Sequence, residues 1–177
     1  MNEKVLYSIG HSNRKAEDFL PLLKKFNIQY LIDVRSVPYS KYNTQYKQAV
    51  LKSFLENNNI TYVFMGDNLG GKPKDASCYK NGKINYARVQ EKDFFIQGIE
   101  RLKKAYDKNI PAAIMCSEAN PCHCHRSRLI GKALQEQNIF VQHIDENGNI
   151  KDQLEVMKEI RKNVLPDLFD HDLLSSV

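Results

Sequence analysis

Short apolar runs rich in β-branched residues alternate along this chain with longer stretches in which apolar positions return every three or four residues. KVLYSIG (4–10) is one such run and stops at a glycine, after which AEDFLPLLKKFN (16–27) places Phe19, Leu22, Leu23 and Phe26 on one helical face. YLIDVRS (30–36) reads as a second strand, QYKQAVLKSFLENNN (45–59) as a second helix carrying Ala49, Leu51, Phe54 and Leu55, and ITYVFMG (60–66) as a third strand. The stretch 67–90 carries too many glycines and lysines to form core and reads as one long polar loop, of a length that usually serves function. Beyond it, EKDFFIQGIERLKKAYDKN (91–109) sets Phe95, Ile99, Leu102 and Tyr106 on a single stripe. IPAAIMCS (110–117) then predicts a buried strand, RSRLIGKALQEQN (126–138) a helix, IFVQHID (139–145) a strand closed by the turn ENGN, and DQLEVMKEIRKNV (152–164) a last helix.

Strands and helices alternating at this spacing predict an α/β fold, a three-layer sandwich around a mostly parallel sheet of about five strands. The expected organisation is one domain over 1–177, with 1–165 as its core and 166–177 as a C-terminal tail. In an open parallel sheet, ligands bind in the crevice outside the C-terminal strand ends. Polar residues recur at those ends: His11 and Ser12 after the first strand, Asp33 and Arg35 after the second, Asp67 and Asn68 after the third. Cys116 and Glu118 follow the fourth, and His143 and Asp145 close the fifth.

Composition narrows the setting. A 177-residue chain with 42% hydrophobic and 27% charged residues is ordinary for a globular protein. The apolar runs fall far short of the roughly 18 residues of a membrane span, so no membrane partner is expected. The opening MNEKVLYSIGHSN shows no secretory pattern, which predicts a cytoplasmic protein whose four cysteines serve as thiols or ligands. The formal charge of +5 is spread over helix faces such as Lys24–Lys25 and Lys103–Lys104 and reads as solvated surface.

The densest chemistry is CSEANPCHCHRSR (116–128), with three of the four cysteines and two of the five histidines. As a thiol site, Cys124 lies just before a helix start, where the helix N-terminus and a neighbouring cation depress a cysteine pKa. Arg126 would then hold an anionic ligand, whether phosphorylated, nucleotide-like or sulfur-bearing, and Glu118, His125 and His11 would move protons. Arg35, Asp33, Ser12, Gly70, Gly71 and Tyr39 would line the ligand site; the two glycines read as a positive-φ turn, with an anion cradle as the alternative. This reading needs no cofactor. As a metal site, Cys116, Cys122, Cys124 and His125 offer zinc ligands, although the adjacent residues 122–125 point in alternating directions if extended. A bridge between Cys122 and Cys124, one residue apart, would be strained. As structure, the cysteines pack and the His and Arg bond to neighbouring loops. A different function class comes from SVPYSKYNTQYKQ (36–48), where Tyr39, Tyr42 and Tyr46 interleave with Lys41 and Lys47. Together with the Lys-rich loop 72–83, this predicts a nucleic-acid-binding module as the alternative.

Four segments, SIGHS (8–12), IDVRSVPYS (32–40), LGG (69–71) and CSEANPCHCHR (116–126), together resemble the family catalogued as domain of unknown function 488, over nearly the whole chain. Within the last segment, Cys124, His125 and Arg126 match the family's motif. The resemblance implies an intracellular α/β domain of bacteria or archaea and implies no reaction. More distantly, LIDVR (31–35) is similar to the strand that opens a rhodanese-like domain. The interval from Cys116 to Arg126, with nine residues between, is longer than the nucleophile loop of that fold.

Overall fold

Four times the chain leaves a helix on the dipeptide Asn-Ile. Asn27, Asn59, Asn109 and Asn138 all take positive φ, between 52° and 60°, a conformation that Asn tolerates better than other side chains. Each following isoleucine returns its N–H to a carbonyl of the last helical turn: Ile28 to Leu23, Ile60 to Leu55, Ile110 to Ala105 and Ile139 to Leu134, all at 2.9–3.0 Å. This left-handed stop satisfies the orphan carbonyls and delivers the isoleucine, buried in three of the four cases, towards the next strand.

In the computed structural model, which describes residues 4–164, a six-stranded sheet forms the middle layer. Its strands are β1 (Leu6–Gly10), β2 (Tyr30–Asp33), β3 (Thr61–Phe64), β6 (Ala112–Cys116), β7 (Gln142–Ile144) and β8 (Ile150–Asp152), in the order β3-β2-β6-β1-β7-β8. The first five are parallel. The fold is thus the expected α/β arrangement, with one addition: β8 pairs antiparallel with β7 at the edge. Its three residues run straight into the last helix, so the sequence gives no separate strand rhythm there.

Side chains of β6 alternate strictly. Ala112, Ile114 and Cys116 face one core with Phe95, Ile99, Leu102, Leu129 and Leu134, while Ala113 and Met115 face another with Phe19, Leu23, Leu51 and Leu55. Helices α1 (Ala16–Lys25) and α2 (Gln48–Glu56) cover the second face. The first face is covered by α3 (Gly66–Leu69), α4 (Tyr86–Gln90), α5 (Asp93–Asp107) and a helix that is π-wound over Arg126–Gly131 and α-helical over Lys132–Gln135, α6. The closing helix α7 (Gln153–Val164) packs Val156 and Ile160 on Cys122. No described helix is long and apolar enough to cross a membrane.

The stretch 67–90 differs from its reading as polar loop. It holds most of α3, α4 and the hairpin β4 (Tyr79–Lys80) and β5 (Lys83–Ile84), and it buries Leu69, Cys78 and Val89. Its apolar residues are spaced too widely to show a period, and they work as isolated anchors between polar turns. The tail 166–177 lies outside the described residues.

Candidate functional site

Alternation within the strands sends the polar residues of the C-terminal edge into two separate nests, one on each face of the sheet. On the α5 face, Cys116 ends β6 fully packed, and the chain then passes Glu118 and an Asn120-capped turn, in which Asn120 Oδ1 accepts the N–H of Cys122 at 2.8 Å. The loop returns at Cys124, directly before the π-wound turn. The Cys116 thiol reaches Glu118 Oε2 at 2.5 Å, and Cys124 Sγ lies 3.3 Å from the same oxygen. The sulfurs of Cys116 and Cys124 touch while their Cα atoms stand 7.7 Å apart. His125 places Nδ1 3.8 Å from Cys124 Sγ, and its Nε2 lies 3.1 Å from the carbonyl of Val34. Only an N–H can satisfy that carbonyl, so Nε2 carries the proton and Nδ1 keeps its lone pair. Burial holds the His125 pKa below its ordinary value, which keeps the ring neutral. One ligand atom from each of Cys116, Glu118, Cys124 and His125 lies within 4.8 Å of all the others. Three of these side chains are buried or half-buried, and Glu118 is exposed. The cluster, beside Arg126, has the makings of an anion- or metal-binding site.

Two glycines shape this nest by close approach. A Cβ on Gly10 would collide with the carbonyl of Glu118, and one on Gly71 would come within 2.8 Å of the His125 ring. Gly70 meets Ser36 and the Gly66 carbonyl in the same way. Neither Gly70 nor Gly71 takes positive φ, so the turn expected of them is corrected: they are glycines because neighbours leave no room for a side chain. Gly71→Ala should therefore displace the His125 ring. If the cluster holds a metal ion, the expected outcome is a roughly tenfold loss of its affinity, the scale of supporting contacts around a metal ligand, read by competition with a chromophoric chelator.

Arg126 is also placed differently from expectation. Its side chain is wholly buried, and its fork serves protein acceptors: Nε donates to Ser8 Oγ at 3.2 Å, Nη1 to the Glu118 carbonyl at 2.5 Å and Nη2 to the Ala119 carbonyl at 2.8 Å. Nη1 also approaches Cys116 Sγ at 3.7 Å. Four of the five N–H donors of this buried guanidinium are thus engaged by the protein itself; it pins the loop that carries Glu118. Behind it, Ser8 Oγ sits 2.6 Å from His143 Nδ1, His143 Nε2 2.6 Å from Gln153 Oε1, and Gln153 Nε2 donates to the Ser127 carbonyl at 3.2 Å. Ser8, His143 and Gln153 are fully buried. Sequence reading did not assign Ser8 or Gln153 to the site. The available signal was a serine at an inward register of an otherwise apolar strand.

On the other face, Asp33 and Arg35 form a buried bidentate pair, with Nε to Oδ1 at 2.9 Å and Nη2 to Oδ2 at 2.6 Å. The Tyr62 hydroxyl donates to Asp33 Oδ2 at 2.7 Å. Arg35 Nη1 donates to His11 Nε2 at 3.2 Å, and His11 Nδ1 lies 2.7 Å from the Ser12 carbonyl. The His11 ring stacks on Tyr46, centroids 4.0 Å apart. Burial pushes the His11 pKa down to about 4. A neutral, 3% exposed His11 held on both nitrogens is a packing and pairing residue, which corrects its placement as a proton carrier beside Cys124. Ser12 takes a positive φ of 52° and is half-buried. Tyr39 is 62% exposed on the loop beyond.

The metal set Cys116, Cys122, Cys124 and His125 needs one exchange. Cys122 turns away to α7, where its thiol donates to Glu159 Oε2 at 3.2 Å, and burial pushes its pKa up to about 11. Glu118 takes its corner. The turn over Pro121–His123 is what rotates Cys122 and Cys124 apart, and His123 is exposed. A family model described as domain of unknown function DUF488 matches residues 15–133, well over half of the chain. The chain belongs to the DUF488 family. No curated protein matches this DUF488 chain. The matched span includes IDVRSVPYS, LGG and CSEANPCHCHR, so the Cys/Glu/Cys/His nest of the DUF488 chain lies entirely within it.

Proposed function

We propose that this protein binds one zinc ion through Cys116, Cys124 and His125, with Glu118 at the solvent-facing corner, and that the centre supports hydrolytic chemistry. The observation that carries this reading is the orientation of His125. Its Nε2 faces the Val34 carbonyl and its neutral Nδ1 is turned to the sulfurs, the arrangement in which an outer carbonyl fixes the tautomer of a metal-ligating histidine. The structure pairs Cys116 and Cys124 as a disulfide, so zinc binding takes the reduced pair, in which the two sulfurs separate to ligate the ion. Two thiolates, an imidazole and a carboxylate are a borderline-soft set suited to zinc. Structural zinc sites are closed, whereas catalytic ones hold three protein ligands and leave one position to water or substrate. Glu118, alone exposed, is able to ligate or to swing off and accept a proton from water.

Protein purified without a histidine tag or chelator is expected to hold close to one zinc per chain by plasma mass spectrometry. Cys124→Ser and His125→Ala should each reduce this to a small fraction, and Cys122→Ser should leave it unchanged. A metal-free wild type with unshielded thiols would refute the reading. That outcome would favour a second one, a reactive thiol at Cys124 for sulfur-bearing or anionic ligands. Its support is the backbone N–H of Arg126 aimed at Cys124 Sγ at 3.4 Å.

A further inference from the structure

The two loops that flank His125 form a basic, aromatic surface that the zinc centre does not use. From Val34 to Leu55 the chain contains no acidic residue, while Arg35, Lys41, Lys47 and Lys52 fall in it. The loop after β2 holds Val37 71% exposed, Tyr39 62% and Tyr42 88%. Rings this open bury little surface in the fold and stand free to contact something else. Lys47 Nζ lies 5.0 Å from the centroid of Tyr39, and Lys41 Nζ 5.9 Å from that of Tyr42, so each ring has an ammonium beside it. The backbone N–H of Lys72 donates to Ser36 Oγ at 2.8 Å, which stitches this loop to the segment Gly70–Lys74, with its two further lysines. Both loops touch the nest: Val34 receives His125 Nε2, and Gly71 abuts the same ring. The loops that carry the exposed tyrosines and Lys72 thus both contact the His125 ring of the cluster.

We infer that this surface binds single-stranded nucleic acid, with bases stacking on Tyr39 and Tyr42 and phosphates meeting Lys41, Lys47 and Lys72. Exposed rings with an ammonium over one face and the other open to solvent fit a polyanion whose bases are unpaired, because stacking accepts any base and the lysines follow the backbone. A duplex hides its base faces and would meet only the lysines. The inference names a partner for the proposed centre and stands on different residues. The third tyrosine of the run does not belong to it: Tyr46 is buried against His11.

The test is fluorescence anisotropy of a labelled mixed-sequence single-stranded 20-mer titrated with the full chain. Saturable binding is expected, about twentyfold weaker at 200 mM than at 50 mM salt if roughly three phosphates are contacted. Tyr39→Ala with Tyr42→Ala should weaken binding at least about tenfold, as stacking losses predict, at an unchanged salt slope. Lys41→Gln with Lys47→Gln should flatten the slope. Lys158→Gln with Arg161→Gln, at the groove between α6 and α7, should change neither. The inference is overturned by absence of saturation, by a tyrosine variant that binds like wild type, by equal losses in the α7 control, or by preference for the duplex. Repeating the titration with zinc-free Cys124→Ser protein separates the two proposals. Retained binding upholds the surface whatever the fate of the metal reading.

Discussion

Arg126→Leu is expected to cost about 3–5 kcal/mol in urea unfolding and to abolish zinc retention together. The substitution fills much of the buried volume but leaves three acceptors, the carbonyls of Glu118 and Ala119 and Ser8 Oγ, without the donors that meet them at 2.5, 2.8 and 3.2 Å. A buried acceptor stripped of its partner costs about 1–3 kcal/mol, and the two carbonyls lie in the loop between Cys116 and Cys124. Burial pushes the Arg126 pKa down to about 10, so the guanidinium still carries its charge at neutral pH and its bonds are charge-assisted. Arg126→Lys keeps a charge but replaces a three-way fork by a single point, and should recover less than half of the loss. Glu118→Gln supplies the contrast. Its side chain is exposed, so stability should stay within about 0.5 kcal/mol while the metal affinity falls. If Arg126→Leu unfolded at the wild-type midpoint, the pinned loop would not depend on this network.

The contrast between Arg126 and Glu118 also shows how far the sequence could be read. The rhythm of apolar positions is a local property, and the five parallel strands and the longer helices between them could be read from it, whereas the short α3 and α4 could not. The convergence of Cys116, Glu118, Cys124 and His125 was legible as a density of ligand-type residues. Which four would meet was not, because that depends on the turn over Pro121–His123 that throws Cys122 towards α7. Arg126 beside a cysteine motif reads as an anion clamp in any sequence. Only the depth of β1 beneath it, with Ser8 facing inward and Gly10 admitting the Glu118 carbonyl, makes it a structural fork. The split of His11, Asp33 and Arg35 from the cysteines follows from strand alternation, a period-two rule that places Asp33 and Cys116 on opposite faces once β2 and β6 are adjacent in register. Neighbouring strands cannot be told from one sequence, so that separation was out of reach. The repeated Asn-Ile helix stop was in reach, since Asn is a known left-handed cap, and it marks four helix ends more sharply than apolar periodicity does.

Stability should fall by several kcal/mol as pH is lowered from about 6.5 to about 4, through His11 and His143. Burial pushes both pKa values from the ordinary 6.5 to about 4. Between these limits the unfolded chain binds protons on both imidazoles and the folded chain does not, so acid favours unfolding. The contribution is fully present above the unfolded value, near 6.5, and is lost as pH falls through the folded value. Each shift corresponds to about 3 kcal/mol, and both side chains are at most 3% exposed. Burial outweighs the bonds that favour protonation, from the Ser12 carbonyl at His11 and from Gln153 at His143, and the cations Arg35 and Arg14 near His11 and Arg126 near His143 act in the same direction as burial. At His143 the consequence reaches the candidate site. With Nε2 paired to Gln153 Oε1, Nδ1 accepts the Ser8 hydroxyl proton and Ser8 Oγ accepts from Arg126. A protonated imidazole would reverse that first bond and set two cations against one hydroxyl. Urea titrations at pH 7.5, 6, 5 and 4.5 measure the slope, and the protonation of carboxylates is removed by comparison with His143→Gln. That variant should be less stable at pH 7.5 and should lose about half of the pH dependence between 6.5 and 4.5. A wild type and variant with parallel pH profiles would mean that His143 is protonated in the fold and that the Ser8–Arg126 chain runs the other way.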